Sequence, residues 1–333
     1  MDSLSQLALG AAVGGAVAGH RFGRKALLWG ALCGTPPDLD VLVPLGDPVS
    51  DFTYHRSASH SLLMQLLATP LLTWSIIRFH PDTAPGWPRW AAPVYLALAT
   101  HALLDAFTVY GTQLLWPLDP TPFGLGSIFI IDPLYTVPLT GAVVVAAVAR
   151  DGERIRRASL VGIVLSSAYL AWTVAAQVHV GRLARESLAD AAIDVERLLV
   201  TPTPFNSVLW RVLAIGPESY HEGFRSLLDD DGPIDFDRHP RHPELLAPIA
   251  DAWPVARLMW FTRGFHAAAV RNQDVVLTDL RMGLEPDYVF AFRVGVLGNP
   301  HVHAAEAVRL PARRDFGRVT RVWRRIFDAR VRP

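Results

Sequence analysis

Ala158-Ser159-Leu160-Val161-Gly162-Ile163-Val164-Leu165-Ser166-Ser167-Ala168-Tyr169-Leu170-Ala171-Trp172-Thr173-Val174-Ala175-Ala176-Gln177-Val178 runs for twenty-one residues without a charged side chain or a histidine. A helix crossing a hydrocarbon core of about 30 Å needs about 20 predominantly apolar residues, so this stretch reads as a membrane span. Residues 128–149 read the same way, and the run Val143-Val144-Val145-Ala146-Ala147-Val148 has no polar face to offer water. Working outward, shorter apolar stretches lie at residues 4–19, 26–34, 62–77 and 91–108. The first is rich in Gly and Ala, which suits close helix packing rather than lipid contact. The second is too short to span unaided and is expected to tilt or re-enter. The sequence therefore predicts a mainly α fold. It is a polytopic transmembrane helical bundle of about five or six spans over residues 1–178, followed by a small α+β extramembrane domain over residues 179–333.

The chain has 333 residues with 31 basic and 31 acidic side chains, so no global field recruits nucleic acid. Its one cysteine, Cys33, excludes an internal disulfide framework and a cysteine-based zinc site. The first apolar stretch is not expected to be a cleavable signal peptide, because its basic residues follow it instead of preceding it. With six spans the connections alternate sides. Residues 20–25, 78–90 and 150–157 hold nine Lys and Arg, whereas residues 35–61 and 109–127 hold only Arg56. The positive-inside rule then predicts a multi-pass inner-membrane protein whose first, third and fifth connections, residues 20–25, 78–90 and 150–157, are cytoplasmic. The opposite face and the C-terminal domain are expected outside.

Ionisable side chains at membrane depth are functional candidates by default. Asp38 and Asp40 close the second stretch in Pro36-Pro37-Asp38-Leu39-Asp40, and His55 and His60 open the third in His55-Arg56-Ser57-Ala58-Ser59-His60-Ser61. His101 and Asp105 stand four apart within the fourth, hence on one helix face. Asp132 begins the fifth in Ile131-Asp132-Pro133. With alternating spans all seven fall at one end of the bundle. Imidazoles and carboxylates together suit a divalent metal, zinc first, with manganese, iron or magnesium where carboxylates dominate. The expected ligands are Asp38, Asp40, His55, His60, His101, Asp105 and Asp132. Asp38 and Asp40 are also candidate general bases, and Arg56 a candidate clamp for an anionic phosphate.

These motifs, with Met1-Asp2-Ser3-Leu4, Thr108 and Gly111-Thr112-Gln113-Leu114-Leu115-Trp116-Pro117, resemble the YdjM-like group of inner-membrane-associated, metal-dependent hydrolases, also described as LexA-binding. The resemblance covers about the first 150 residues and implies a membrane location and a hydrolase activity of undefined substrate. One departure stands out. The family commonly carries a Thr-His pair where this chain has Ser5-Gln6, and Gln6 is a poor metal ligand. A metal position is therefore altered or lost, or the chain is a non-catalytic relative. The His101-x-x-x-Asp105 pair is also similar to one in the zinc-dependent phospholipase C and P1 nuclease group, by analogy alone.

From about Gly181 the pattern changes. Residues 182–199 have helical spacing, residues 274–281 and 288–296 read as strands, and residues 253–265 carry several aromatics. His221, His239, His242, His266, His301 and His303 lack ligand spacing and read as surface or packing residues. The leading expectation is a membrane-bound metal-dependent hydrolase acting on a phosphoester or lipid-related substrate at the interface. Its expected partners are membrane lipids and a protein bound by the C-terminal domain, with no nucleic acid. The alternatives are a non-enzymatic scaffold or regulator with a structural metal and, third, a metal-ion transporter.

Overall fold

The computed structural model describes residues 1–312 and 316–333. Its α-helices are α1 (Ser3–Phe22), α2 (Arg24–Cys33), α3 (Pro48–Tyr54), α4 (Leu62–Phe79), α5 (Pro88–Ala106), α6 (Pro133–Val148), α7 (Gly152–Asp190), α8 (Trp253–Phe261) and α9 (Phe316–Arg325). Two compact units divide the chain: Met1–Val43 with Tyr54–Thr173, and Pro44–Thr53 with Val174–Pro333. The boundary falls within α7.

The first unit is helical. Asp2 caps α1 by accepting from the amides of Leu4 and Ser5, and the chain turns at Gly23, whose φ of 58° suits a residue without a Cβ. Helices α1 and α2 then pack almost backbone to backbone. A Cβ on Gly10 would lie 2.3 Å from the Gly30 carbonyl oxygen, and one on Gly30 2.2 Å from that of Gly10. The small-residue stripes Gly10/Gly14 and Gly30/Gly34 are what permit this approach.

Helices α4 and α7 are built inside out. The buried positions of α4 are Gln65, Thr69, Thr73 and Ile76, while Leu66, Leu67, Leu71 and Trp74 are exposed. Along α7, Ser159, Ser166 and Thr173 are buried at intervals of seven, and Leu160, Val161, Val164, Leu165 and Trp172 face outward. Only 22% of the most apolar window of each helix is buried, the reverse of a helix in a water-soluble core. An outward apolar face is the arrangement that lipid tails stabilise.

The expected bundle of five or six spans is not what forms. Among the described residues two helices, α4 and α7, are long and apolar enough to cross a membrane. Helix α2 has 10 residues, about 15 Å at 1.5 Å per residue, and α6 has 16, about 24 Å. The Gly- and Ala-rich α1 buries 12 of its 20 residues, and α5 buries 11 of its 19. Helices α1 and α5 thus supply much of the core of the unit, while α2 and α6, which keep Leu28, Leu32, Val137, Val144 and Val145 exposed, are short of a full span. Met1, Leu9, Val13, Leu104, Ile128, Tyr135 and Leu139 form one cluster of that core.

The expected small α+β domain is likewise replaced by two four-stranded antiparallel sheets, each in sequential order. The first holds β1 (Arg197–Pro202), β2 (Leu209–Ile215), β3 (Ser219–Ser226) and β4 (Phe236–Pro240). The second holds β5 (His266–Arg271), β6 (Asp274–Leu284), β7 (Asp287–Val296) and β8 (His303–Arg309). The strands read at residues 274–281 and 288–296 lie within β6 and β7. The helix read at residues 182–199 stops at Asp190, and β1 begins at Arg197. Arg211 of β2 ties the sheets together: Nε donates to Glu222 Oε1 at 2.6 Å and a terminal nitrogen donates to the Leu280 carbonyl at 2.7 Å. Phe52 of α3 packs among Phe261, Phe290 and Phe292, with ring centroids 4.4–5.3 Å apart.

Candidate metal centre

Pro36 and Pro37 open a 3-10 turn, Pro36–Leu42, that carries Asp38 and Asp40. Asp40 then shapes the next segment. Its Oδ2 accepts from the Arg56 amide at 3.0 Å and from the Ser59 hydroxyl at 2.6 Å. Arg56 itself has a φ of 64°, the left-handed region, and its carbonyl accepts from the Gln113 amide. The short 3-10 turn Ala58–His60 follows, and Ser61 caps α4 by accepting from the Met64 amide. His60 is thereby held at the N-terminal end of α4. The last two turns of α5 present His101 and Asp105, both fully buried.

Asp38, His60, His101 and Asp105 each place one ligand-type atom so that all four atoms lie within 4.8 Å of one another. His60 Nε2 is 3.2 Å from His101 Nε2. Asp38 Oδ1 lies 3.6 Å from the first and 3.5 Å from the second. Asp105 Oδ2 lies 3.1 Å and 3.8 Å from them.

The protons of both rings follow from their other neighbours. His101 Nδ1 lies 2.7 Å from the Gly34 carbonyl, which only accepts, so Nδ1 carries the hydrogen. His60 Nδ1 lies 2.8 Å from Ser59 Oγ, whose own hydrogen goes to Asp40, so this Nδ1 donates too. Both Nε2 lone pairs then converge on one buried spot with two carboxylates. Such a cluster repels itself unless a cation, a proton or a metal ion, sits among its members. Two imidazoles and two carboxylates are a suitable donor set for a divalent ion. The hydrogen bonds to Gly34 and Ser59 are the outer support that metal-binding histidines use.

The local field has the same sign. Burial opposes ionisation of Asp38, but the neighbouring His101 and His60 rings outweigh it and hold the carboxyl well below the ordinary range. Asp40 is likewise held down, with burial opposed by His55 and Ser59. Burial disfavours the His60 imidazolium, yet Asp105 and Asp38 outweigh that and raise its pKa. Positive charge is therefore favoured in the cluster.

The remaining expected residues sit around this group or apart from it. Asp40 stands behind His60, 3.8 Å from its Nδ1, and pairs with His55 at 2.7 Å. His55 is thus one step removed from the four ligand atoms. Arg56 is buried, its Nε 3.1 Å from Asp105 Oδ2 and a terminal nitrogen donating to Thr108 Oγ1 at 3.0 Å. Asp132 does not join. It caps α6 by accepting from the Leu134 amide, and its other oxygen accepts from the Tyr169 hydroxyl at 2.8 Å. Gln6 does reach the site: Nε2 donates to Asp105 Oδ1 at 3.0 Å, while Oε1 is buried without a hydrogen-bond partner. The Met1 backbone nitrogen also contacts Asp105 Oδ1. Sequence reading missed the role of Ser59, which nothing distinguishes from its neighbour Ser57 until the fold brings it to His60.

Comparison with known proteins gives the family. The family model described as YdjM inner membrane protein matches residues 1–180, the part holding all four ligand-type residues. The chain is also 25% identical over 230 residues to the uncharacterized protein YfhP of Bacillus subtilis (strain 168), covering 67% of this chain and 68% of that one. No solved structure matches. The family match and the outward apolar faces of α4 and α7 both point to membrane association, and the chain belongs to the YdjM inner membrane protein family.

Proposed function

We propose that this chain is a membrane-bound, metal-dependent hydrolase acting on a phosphoester, with a lipid-related substrate favoured by the site's place at one end of α4. The observation that carries this reading is the pair of Nε2 lone pairs 3.2 Å apart between two carboxylates. Asp38, His60, His101 and Asp105 would hold a divalent ion, zinc foremost. When bound, such an ion polarises a phosphoryl oxygen and lowers the pKa of a water ligand to about 7. Asp38 is 23% exposed while the other three are buried, so water and substrate enter on its side. Asp40, reached through Ser59, sets the His60 ring in the tautomer that leaves Nε2 free. The Arg56 guanidinium balances Asp105 and offers positive charge for an anionic group.

A screen of phosphodiesters and phospholipids with purified, metal-loaded protein tests this reading. Hydrolysis should stop on chelation, return with a divalent ion, and fall at least about 100-fold in Asp38→Asn. A metal-loaded chain that hydrolyses none of them would sink it.

A second reading, a non-enzymatic scaffold with a structural metal, is favoured by one observation. Gln6, Arg56 and the Met1 nitrogen already engage Asp105. Stoichiometric metal without hydrolysis supports that reading.

A further inference from the structure

The first unit is electrically polar from end to end. Near the metal centre its acidic residues are Asp2, Asp38, Asp40, Asp105, Asp119 and Asp132, with Arg56 the basic one. The other end is formed where α1 meets α2, α4 meets α5, and α6 meets α7. Arg24 donates to the Ala149 carbonyl at 3.1 Å, Lys25 pairs with Asp82 at 2.9 Å, and Phe22 stacks on Trp90 with centroids 4.2 Å apart. Nine basic residues gather here (Arg21, Arg24, Lys25, Arg78, Arg89, Arg150, Arg154, Arg156 and Arg157) against Asp82, Asp151 and Glu153. Helix α4 runs between the two ends, and its 18 residues span about 27 Å.

An open cavity of about 530 Å³ lies at this basic end, lined by Arg21, Lys25, Asp82, Thr83 and Arg89 among others. Asp82 neutralises Lys25 there. Arg21 and Arg89 are exposed and have no carboxylate partner among the described residues. Aromatic side chains flank the same end: Trp74 and Phe79 in the last turns of α4 and Trp87 just before α5 are 63%, 72% and 54% exposed. Exposed tryptophan beside unpaired arginine, at the end of a helix whose apolar face points outward, is the pattern of the lipid headgroup level.

We infer that Arg21 and Arg89, in the cavity they share with the Lys25–Asp82 pair, seat the phosphate of an anionic phospholipid headgroup, so that the basic end of the helical unit docks on the anionic leaflet. The acyl chains would continue along the outward leucines of α4. The inference rests on membrane association and needs no hydrolysis at the metal centre. A lipid phosphate is favoured over a soluble one because exposed Trp87 stands in the chain between the lining residues Gly86 and Arg89, and exposed Phe79 ends α4 at the same end of the unit. Each basic residue near an anionic surface contributes roughly fivefold in affinity.

Full-length protein, reconstituted with phosphatidylcholine and phosphatidylglycerol, can be probed by native mass spectrometry for retained lipid. Wild type should retain phosphatidylglycerol in preference to phosphatidylcholine. Arg21→Gln with Arg89→Gln should reduce that preference roughly 25-fold, with metal content unchanged as the check of folding. Arg89→Gln alone, at an exposed position, should reduce it about fivefold and serves if the double variant does not fold. Arg154→Gln, whose guanidinium is 79% exposed and paired with Asp151, should leave it within about twofold. An unchanged preference in the Arg21 and Arg89 variants overturns the inference. Equal loss in Arg154→Gln overturns the cavity in favour of a diffuse charge effect. Displacement of phosphatidylglycerol by equimolar inorganic phosphate overturns the lipid in favour of a soluble anion.

Discussion

His60 Nε2 faces His101 Nε2 at 3.2 Å, and the second nitrogen of each ring is already donating, one to Ser59 Oγ and one to the Gly34 carbonyl. Neither lone pair has another partner to turn to except the proton or metal that holds them together. His101→Ala and Asp105→Asn should therefore each lower metal affinity by more than the roughly 10–100-fold that loss of an outer support costs. Metal content of purified protein at matched free metal reads this directly. Wild-type loading in both variants would show that His101 and Asp105 do not hold the metal and that their role is structural.

Ser59 gives a finer test, because it touches His60 without offering a ligand atom to the cluster. Removing its hydroxyl frees His60 Nδ1 and breaks the link to Asp40. Ser59→Ala should weaken metal binding about 10–100-fold while the fold persists, a difference that a titration with competing chelator resolves. Affinity equal to wild type would mean that the ring orientation is set by packing alone.

How much of this was legible in the sequence differs from residue to residue. The spacing of His101 and Asp105 is a direct consequence of 3.6 residues per turn, and the helix α5 keeps them on one face. Asp132 looked equivalent because it also precedes an apolar stretch. Asp followed by Pro is equally a helix start, and Asp132 spends its carboxylate on the amides of α6. The span count failed for a different reason. Apolar stretches of Gly and Ala, such as residues 4–19, carry enough hydropathy to suggest lipid but pack so closely that they form the core of the unit. The polar stripe Gln65, Thr69 and Thr73 marks the lipid-facing helix by being buried, which no hydropathy average registers. In the second unit every residue of β2 is buried, so the alternation that reveals a half-buried strand is absent.

Gln6 stands where the resemblance drawn from the sequence implies a histidine, and its side chain already reaches Asp105 with Oε1 buried and unbonded. Gln6→His should tighten metal binding about tenfold or raise hydrolysis by a similar factor, since an imidazole there adds a donor to a preformed cluster. Unchanged affinity together with unchanged activity would show that a ring at this position does not reach the ion.

Arg211 is buried with Glu222 and bridges the two sheets. Taking one member of a buried ion pair leaves the other charged without a partner. Arg211→Leu should therefore destabilise the second unit by about 3–5 kcal/mol. Replacing both members, Arg211→Leu with Glu222→Leu, should recover much of that loss, because no unpaired charge remains. Denaturant midpoints of the three proteins decide it, and a double variant less stable than the single one would contradict this account.

The pH dependence of the second unit should turn on His266. Its ring is buried and Nδ1 lies 2.9 Å from the Thr262 hydroxyl. Burial, joined by the charge of Arg241, pushes its pKa down to about 4, although Asp279 opposes the shift and Arg197 and Arg281 add to it weakly. In an unfolded chain a histidine titrates near about 6.5. Between those two values the unfolded state binds the extra proton, so stability rises with pH across this window. The contribution of the neutral ring is fully present above about pH 6.5 and is lost as pH falls towards 4. A gap of about 2.5 pH units corresponds to roughly 3 kcal/mol at the acid end. In detergent, wild type should lose about that much more stability between pH 7 and pH 4 than His266→Gln, whose side chain does not titrate. Parallel curves for the two proteins would mean that His266 is protonated in the folded state, and that Asp279 outweighs both the burial and the surrounding arginines.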